Sequence, residues 1–220
     1  MQLPELNNFP TTRYQGSKRK ILPWIYDCLK DIEFDTVLDA FGGSGLVSYL
    51  FKKMGKSVTY NDILLCNKII GDSIISNEET VLSESDLDFI LTQKTNSKSF
   101  ITDNFNGIYY LHDEDVWLDN TIENIERLDN KYNGDELTYK KAIAYNALFQ
   151  SCLIKRPYNL FHRKNLEMRT RNVTRNFGNK TSWETPFETH FKRFVNEINT
   201  SIYNSHVKCS SINKDVFDIE

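Results

Sequence analysis

The stretch Asp35-Thr-Val-Leu-Asp-Ala-Phe-Gly-Gly-Ser-Gly45 decides how the chain is read. Its first half is a short β-branched and apolar run, which predicts a buried strand ending at Asp39 or Ala40. Its second half is a glycine turn, and Leu46, Val47, Leu50, Phe51 and Met54 follow at helical spacing before Gly55 closes the helix. Residues 57–63, Ser-Val-Thr-Tyr-Asn-Asp-Ile, predict a second strand. Strand, glycine turn, helix and strand in this order make a right-handed βαβ unit of a parallel sheet and place the chain in the α/β class.

Towards the N-terminus, residues 11–20 read Thr-Thr-Arg-Tyr-Gln-Gly-Ser-Lys-Arg-Lys, a crowd of groups able to touch an anion or a ring. Ile21, Ile25, Leu29 and Ile32 then predict a helix with Ser17 as its N-cap and Pro23 in its early turns. A short basic run is also what a solvated helix start looks like. Towards the C-terminus, residues 77–205 change to helices and irregular polar stretches. One helix is predicted over 139–154, and another from Pro186 carries Phe187, Phe191, Phe194, Val195 and Ile198. A strand-like run returns at 206–210, followed by Lys214-Asp-Val-Phe-Asp-Ile219. The expected organisation is residues 1–76 as the first part of the α/β core, 77–204 as a helical insertion and 205–220 as the return to the core.

Composition narrows the partners. The 220 residues are 40% hydrophobic and 13% aromatic, enough for a substantial core. No apolar run reaches the length of a membrane span and the N-terminus has no signal-peptide pattern, so the expectation is a soluble, cytoplasmic protein with no membrane partner. The four cysteines, Cys28, Cys66, Cys152 and Cys209, form no C-x-x-C pair and are expected to be reduced and buried, with no metal. Net charge is only −3, but residues 155–193 hold ten basic side chains against three acidic ones. This segment interleaves Arg156, Arg163, Lys164, Arg169, Arg171, Arg175 and Lys180 with Tyr158, Phe161, His162, Phe177 and Trp183 and with several asparagines, Asn165 among them. Such a mix can neutralise phosphates, read base edges and stack on a base, as the double-stranded DNA partner implied by the family resemblance given below would need, although a solvated basic face has a similar composition.

The glycine turn aims helix N-terminal amides at a ligand. Gly43-Ser-Gly45 lacks the third glycine of the dinucleotide fingerprint, because Ser48 stands there. Asp39 and Asp62 are more informative, one at each strand end. An acid at the second strand end can accept from both ribose hydroxyls, and one at the first can hold an ammonium group. Two acids and no lysine in the turn suit a cationic nucleoside, S-adenosylmethionine, better than a pyrophosphate.

Three segments carry a family resemblance: Arg13-Tyr-Gln-Gly-Ser-Lys18, Leu38-Asp-Ala-Phe-Gly-Gly-Ser-Gly-Leu-Val-Ser48 and Asn61-Asp-Ile63. In content and order they resemble the Dam-like, D12 class adenine-N6 DNA methyltransferases, a group with type II restriction-modification members. The resemblance implies a Rossmann-like S-adenosylmethionine-dependent methyltransferase core with a largely helical inserted target-recognition region. It also implies that Tyr14 contacts the donor and Lys18 holds its carboxylate. Asp39, Phe41, Gly43, Ser44 and Gly45 would form the pocket floor, and Asp62 and Ile63 would hold the ribose and border the adenine. Asp215, with Val216 beside it, resembles the acid that reaches the donor's adenine amine, although a surface turn explains residues 214–218 equally well.

The family's catalytic Asp/Asn-Pro-Pro-Tyr/Phe motif is absent, since Pro4, Pro10, Pro23, Pro157 and Pro186 are all isolated. The expectation is therefore an incomplete chain or one part of a split enzyme completed by a second polypeptide, inactive alone. It should have an exposed sheet edge and a tendency to associate. The competing readings are a non-catalytic DNA-recognition subunit and a nicotinamide-dependent oxidoreductase, the latter opposed by Ser48 and by the arginine-rich insertion.

Overall fold

A computed structural model describes residues 3–93, 99–157, 164–171 and 179–219. The predicted βαβ unit is present as β1 (Thr36–Asp39), α2 (Leu46–Lys53) and β2 (Ser57–Asn61), preceded by α1 (Leu22–Leu29). Among the described residues the sheet is completed by β3 (Ser210–Ile212), with parallel pairing and order β1-β2-β3. Between β2 and β3 come α3 (Leu65–Gly71), α4 (Glu84–Leu91), α5 (Phe100–Phe105), α6 (His112–Glu126), α7 (Gly134–Ile154), α8 (Glu167–Thr170), α9 (Asn179–Glu184) and α10 (Phe187–Ser201). The small parallel sheet with its many helices is a Rossmann-like α/β arrangement.

Helices cover this sheet with apolar side chains. α2 buries Leu46, Tyr49 and Leu50, while Val58 and Tyr60 of β2 are almost fully enclosed. Each fully buried aliphatic side chain of this kind contributes roughly 1.5–3 kcal/mol. The same hydrophobic cluster continues into Ile143, Ala147 and Leu148 of α7 and Phe191, Phe194 and Ile198 of α10. Polar ties join these layers too: the Tyr49 hydroxyl donates to Ser201 O at 2.7 Å, and Asn146 Nδ2 donates to Ser73 Oγ at 2.8 Å. α3 runs on into a π-helical turn over Asp72–Ser76, whose Ile74 and Ile75 are buried against α2.

Several local expectations shift. Ser17 precedes a 3-10 turn over Lys18–Ile21 but makes no side-chain cap, and α1 begins only at Leu22. That turn changes the phase, so α1 buries Leu22 and Tyr26, leaving Ile21, Ile32 and Trp24 exposed. α7 starts five residues before the predicted Tyr139, and the returning strand begins at Ser210, where the run 206–210 was expected to carry it. Its predicted start falls instead on His206, in the left-handed region with φ 59°. Cys28 and Cys66 are exposed, contrary to the expectation that all four cysteines are buried, because α1 turns Cys28 outward and Cys66 lies in the exposed first turn of α3. Among the described residues β1 pairs only with β2, and its Leu38 is 50% exposed. No helix is long and apolar enough to cross a membrane among the described residues.

Candidate functional site

The carboxyl ends of the strands meet the glycine turn, the usual ligand position in a parallel α/β sheet. β1 ends on Asp39, and the chain turns through Gly42 to Gly45, with Gly45 N donating to Gly42 O at 2.9 Å. Gly43 and Gly45 have φ of 52° and 76°, a region that side chains with a Cβ rarely adopt. A Cβ at Gly43 would lie 3.0 Å from the Tyr14 hydroxyl, so the glycine is also what lets the N-terminal segment lie on the turn.

Asp62, one residue past β2, locks the turn from below. Its Oδ2 accepts Gly43 N and Asn67 Nδ2, each at 3.0 Å, and its Oδ1 accepts Leu64 N at 2.9 Å. Asn67 is 3% exposed, and its Nδ2 is also 3.2 Å from the Tyr14 hydroxyl, so it bridges the N-terminal segment to the acid. Three protein donors leave the Asp62 carboxylate one readily available acceptor position, on Oδ1. The expectation that Asp62 accepts from both ribose hydroxyls meets a carboxylate that already accepts three protein hydrogen bonds. Behind it, the buried Tyr60 hydroxyl lies 2.7 Å from Gly43 O and 3.0 Å from Asn67 O, and burial raises its pKa far above the ordinary range.

Ser48 takes on a definite role in the same frame. It is fully buried and donates to Asp39 Oδ2 at 2.6 Å, which fixes the carboxylate and leaves Oδ1 for a ligand. Asn61 binds the strand ends together: its Nδ2 donates to Ala40 O and Lys214 O, both at 3.1 Å, and its Oδ1 accepts Lys214 N at 3.0 Å. Asn61 and Asn67 have roles that residue type alone did not announce. Their only signal in the sequence was an amide beside or shortly after the acidic strand end.

A cleft of about 320 Å³ opens above this turn, lined by Tyr14, Lys18, Asp39, Phe41, Gly43 and Ser44 together with residues of the same loops. Lys18 is exposed, with Nζ 3.2 Å from Gly16 O. Gly45 sits behind the cleft, where a Cβ would meet Ile74 at 3.3 Å. Asp62, Ile63, Asp215 and Val216 are not among the cleft's lining residues. Ile63 is 61% exposed beside it in sequence from Asp62, and the Asp215 carboxylate accepts Phe217 N at 3.1 Å as the cap of a short turn over Val216–Asp218. The surface-turn reading of residues 214–218 thus describes their local geometry. Phe217, which the sequence reading passed over, is 93% exposed.

The donor set fits a cationic nucleoside bearing an amino-acid tail. It offers a carboxylate oxygen at Asp39, an ammonium group at Lys18 and a close-approach backbone at Gly43, while Asp62 holds the turn from behind.

The basic segment is divided between interior and surface. Arg156 is 1% exposed; it donates to Tyr109 O at 2.8 Å and to Asn165 Oδ1 at 2.5 Å, while Asn165 Nδ2 donates to Pro157 O. Arg169 grips both oxygens of Glu114 at 2.8 and 2.7 Å, and the buried Lys155 adds a third contact at 2.6 Å. Burial pushes the Glu114 carboxyl up, but the hydrogen bonds from Arg169 and Lys155 outweigh it and hold the pKa below its ordinary value. The expectation of duplex contacts at Arg156, Asn165 and Arg169 is therefore corrected: their side chains are buried and bonded inside the protein. Lys164, Arg171 and Lys180 are exposed, the last two in i,i+4 pairs with Glu167 and Glu184. Arg163 and Arg175 lie outside the described residues.

Comparison with known proteins gives this arrangement a lineage. The chain matches the family model described as D12 class N6 adenine-specific DNA methyltransferase over residues 14–219. It is 30% identical over 221 residues to the type II methyltransferase M2.HphI of Haemophilus parahaemolyticus, an alignment covering 97% of this chain and 63% of that protein. The chain thus spans less than two thirds of the relative's length. No solved structure matches it. A family model that reaches from the Tyr14 segment through the glycine turn to the end of the short turn after β3 leaves one assignment: the chain belongs to the D12 class N6 adenine-specific DNA methyltransferases.

Proposed function

We propose that the chain supplies the donor-binding part of an enzyme that transfers a methyl group from S-adenosylmethionine to N6 of adenine in double-stranded DNA, in a type II restriction-modification system of the cytoplasm. The observation that carries this reading is the cleft in which Tyr14, Lys18 and Asp39 converge on the turn at Gly43. When bound, the donor supplies a methyl already activated by its sulfonium. The chain's own work is to bind and orient. Lys18 holds the donor carboxylate, Asp39 Oδ1 its ammonium group, and Asp62 Oδ1 one ribose hydroxyl. Phe41 and Ile63, 75% and 61% exposed after the ends of β1 and β2, cover the adenine. Asp215 and Val216 border the adenine from the end of β3, and Ser44 and Gly45 complete the turn. On the acceptor side, Lys164, Arg171 and Lys180 provide exposed charge for the duplex backbone.

Calorimetry with S-adenosylhomocysteine and with NAD tests the reading. Binding of the former and not the latter is expected, and the reverse result would overturn it. A second reading, a DNA-recognition subunit without turnover, is favoured by the absence of an Asp/Asn-Pro-Pro-Tyr/Phe motif from the sequence. Methyl transfer to duplex DNA separates the two. The chain alone is expected to be inactive, and the chain combined with a polypeptide carrying that motif is expected to be active.

A further inference from the structure

A second cleft, of about 560 Å³, lies against the other side of the N-terminal segment, between Thr11, Thr12, Arg13, Tyr14 and Gln15 on one wall and Ile154, Arg193 and Phe194 on the other. Tyr14 and Gln15 line both this cleft and the one above the glycine turn, so the two spaces are separated by little more than one side chain. The dividing segment is pinned at three points. Thr11 N and Oγ1 donate to Glu197 at 2.9 and 2.5 Å, Arg13 N donates to Gln150 Oε1 at 3.2 Å, and the Tyr14 hydroxyl is held by Asn67.

Two arginines line this cleft and, among the described residues, no acidic side chain does. Among the described residues the Arg13 guanidinium has neither an ion pair nor a hydrogen bond. Arg193 reaches Glu197 only through Nε at 3.7 Å and lies over the Phe194 ring at 4.3 Å. Partial burial and then the facing charge of Arg193 lower the Arg13 pKa. Paired guanidinium groups recognise oxyanions through forked donors, and Thr12 places a hydroxyl on the same wall, that of Thr11 being committed to Glu197.

We propose that Arg13 and Arg193 form a phosphodiester site, holding the backbone of the DNA strand beside the adenosine that receives the methyl group. The assignment rests on the methyl-transfer reading above. If the donor lies in the first cleft, the acceptor nucleotide has to approach in line next to it, and its flanking phosphate then falls within reach of this neighbouring cleft. Of the two, Arg13 lies outside the 155–193 segment that composition favoured, and Arg193 is its last residue. Arg193 sits on α10, and Arg13 precedes the tyrosine that resembles the family's donor motif.

The test is anisotropy of a fluorescein-labelled duplex oligonucleotide over a salt series, with Arg13→Gln, Arg193→Gln and the control Lys192→Gln, whose exposed side chain pairs with Glu188 on the same helix. Each arginine variant should weaken duplex binding about tenfold and reduce the salt slope by about one, with the control unchanged. Thermal melting and S-adenosylhomocysteine calorimetry on the same proteins should give wild-type values. Unchanged duplex affinity and slope in both arginine variants would overturn the proposal, as would a wild-type chain that binds S-adenosylhomocysteine but no duplex. A loss of affinity with the slope unaltered would mean a base-edge contact and also overturn it. Failure of the wild type to bind S-adenosylhomocysteine would instead defeat the underlying methyl-transfer reading.

Discussion

Two enclosed carboxylates, Asp62 at the end of β2 and Glu114 in the first turn of α6, are held in opposite ways. Asp62 accepts from neutral donors, the amides of Gly43 and Leu64 and the side chain of Asn67. Glu114 is gripped by two cations, Lys155 and Arg169. Neutral donors fix an acid without cancelling its charge, and Asp62 ties the end of β2 to the glycine turn and α3. Cations consume the charge, and Glu114 with its partners becomes a tie between α6, the end of α7 and α8. The two acids are similarly enclosed, and the identity of their donors is what differs.

The largest expected effect comes from breaking the Glu114 tie. Glu114→Ala strands Lys155, 2% exposed, and Arg169, 4% exposed, without a counter-charge. The expected loss is about 3–5 kcal/mol in urea unfolding, with S-adenosylhomocysteine affinity unchanged under conditions where the variant is folded. A loss near zero would put the tie in the class of surface pairs. Because the folded-state pKa of Glu114 lies below its ordinary 4.5, its contribution is present above that value and disappears as pH falls through the folded pKa. Glu114→Gln should therefore flatten the acid limb of the stability profile.

An intermediate effect should follow from the other side of the comparison. Asn67→Ala removes one donor from Asp62 and frees the Tyr14 hydroxyl. Affinity for S-adenosylhomocysteine should fall roughly tenfold, read by calorimetry, while the unfolding midpoint moves far less than for Glu114→Ala. An unaltered affinity would mean that the amide of Gly43 alone positions the acid.

The smallest effect sharpens the contrast with an acid that has no donors. Asp115, adjacent to Glu114, is buried and neither of its oxygens has a hydrogen-bond partner. Burial, with the charges of Glu114 and Asp119, pushes its pKa up to about 7. Such a group destabilises the folded chain progressively as pH rises from its ordinary 3.8 to about 7. Asp115→Asn should raise the melting temperature by a few degrees at neutral pH, with the gain vanishing in acid. Equal gains at all pH values would show that its charge is not the cause.

How much of this was legible varies with the range of the interaction. The glycine turn and the two flanking strands could be read because Gly43 and Gly45 are required by local backbone geometry and the strands by local alternation. Arg156 and Arg169 could not, because their partners Tyr109 and Glu114 lie 47 and 55 residues earlier in the chain. Asn67 was missed for a related reason: an amide looks alike whether it faces water or bridges an acid to a tyrosine.

By itself, the sequence determined the βαβ unit, the placement of Asp39 and Asp62 at strand ends and the family motifs, because each depends on residues a few positions apart. Only the tertiary structure decided which basic side chains are spent inside, that Ser48 aims Asp39, and that Arg13 and Arg193 face one cleft beside Tyr14. Those outcomes depend on desolvation and partner choice between distant segments, which no local pattern records.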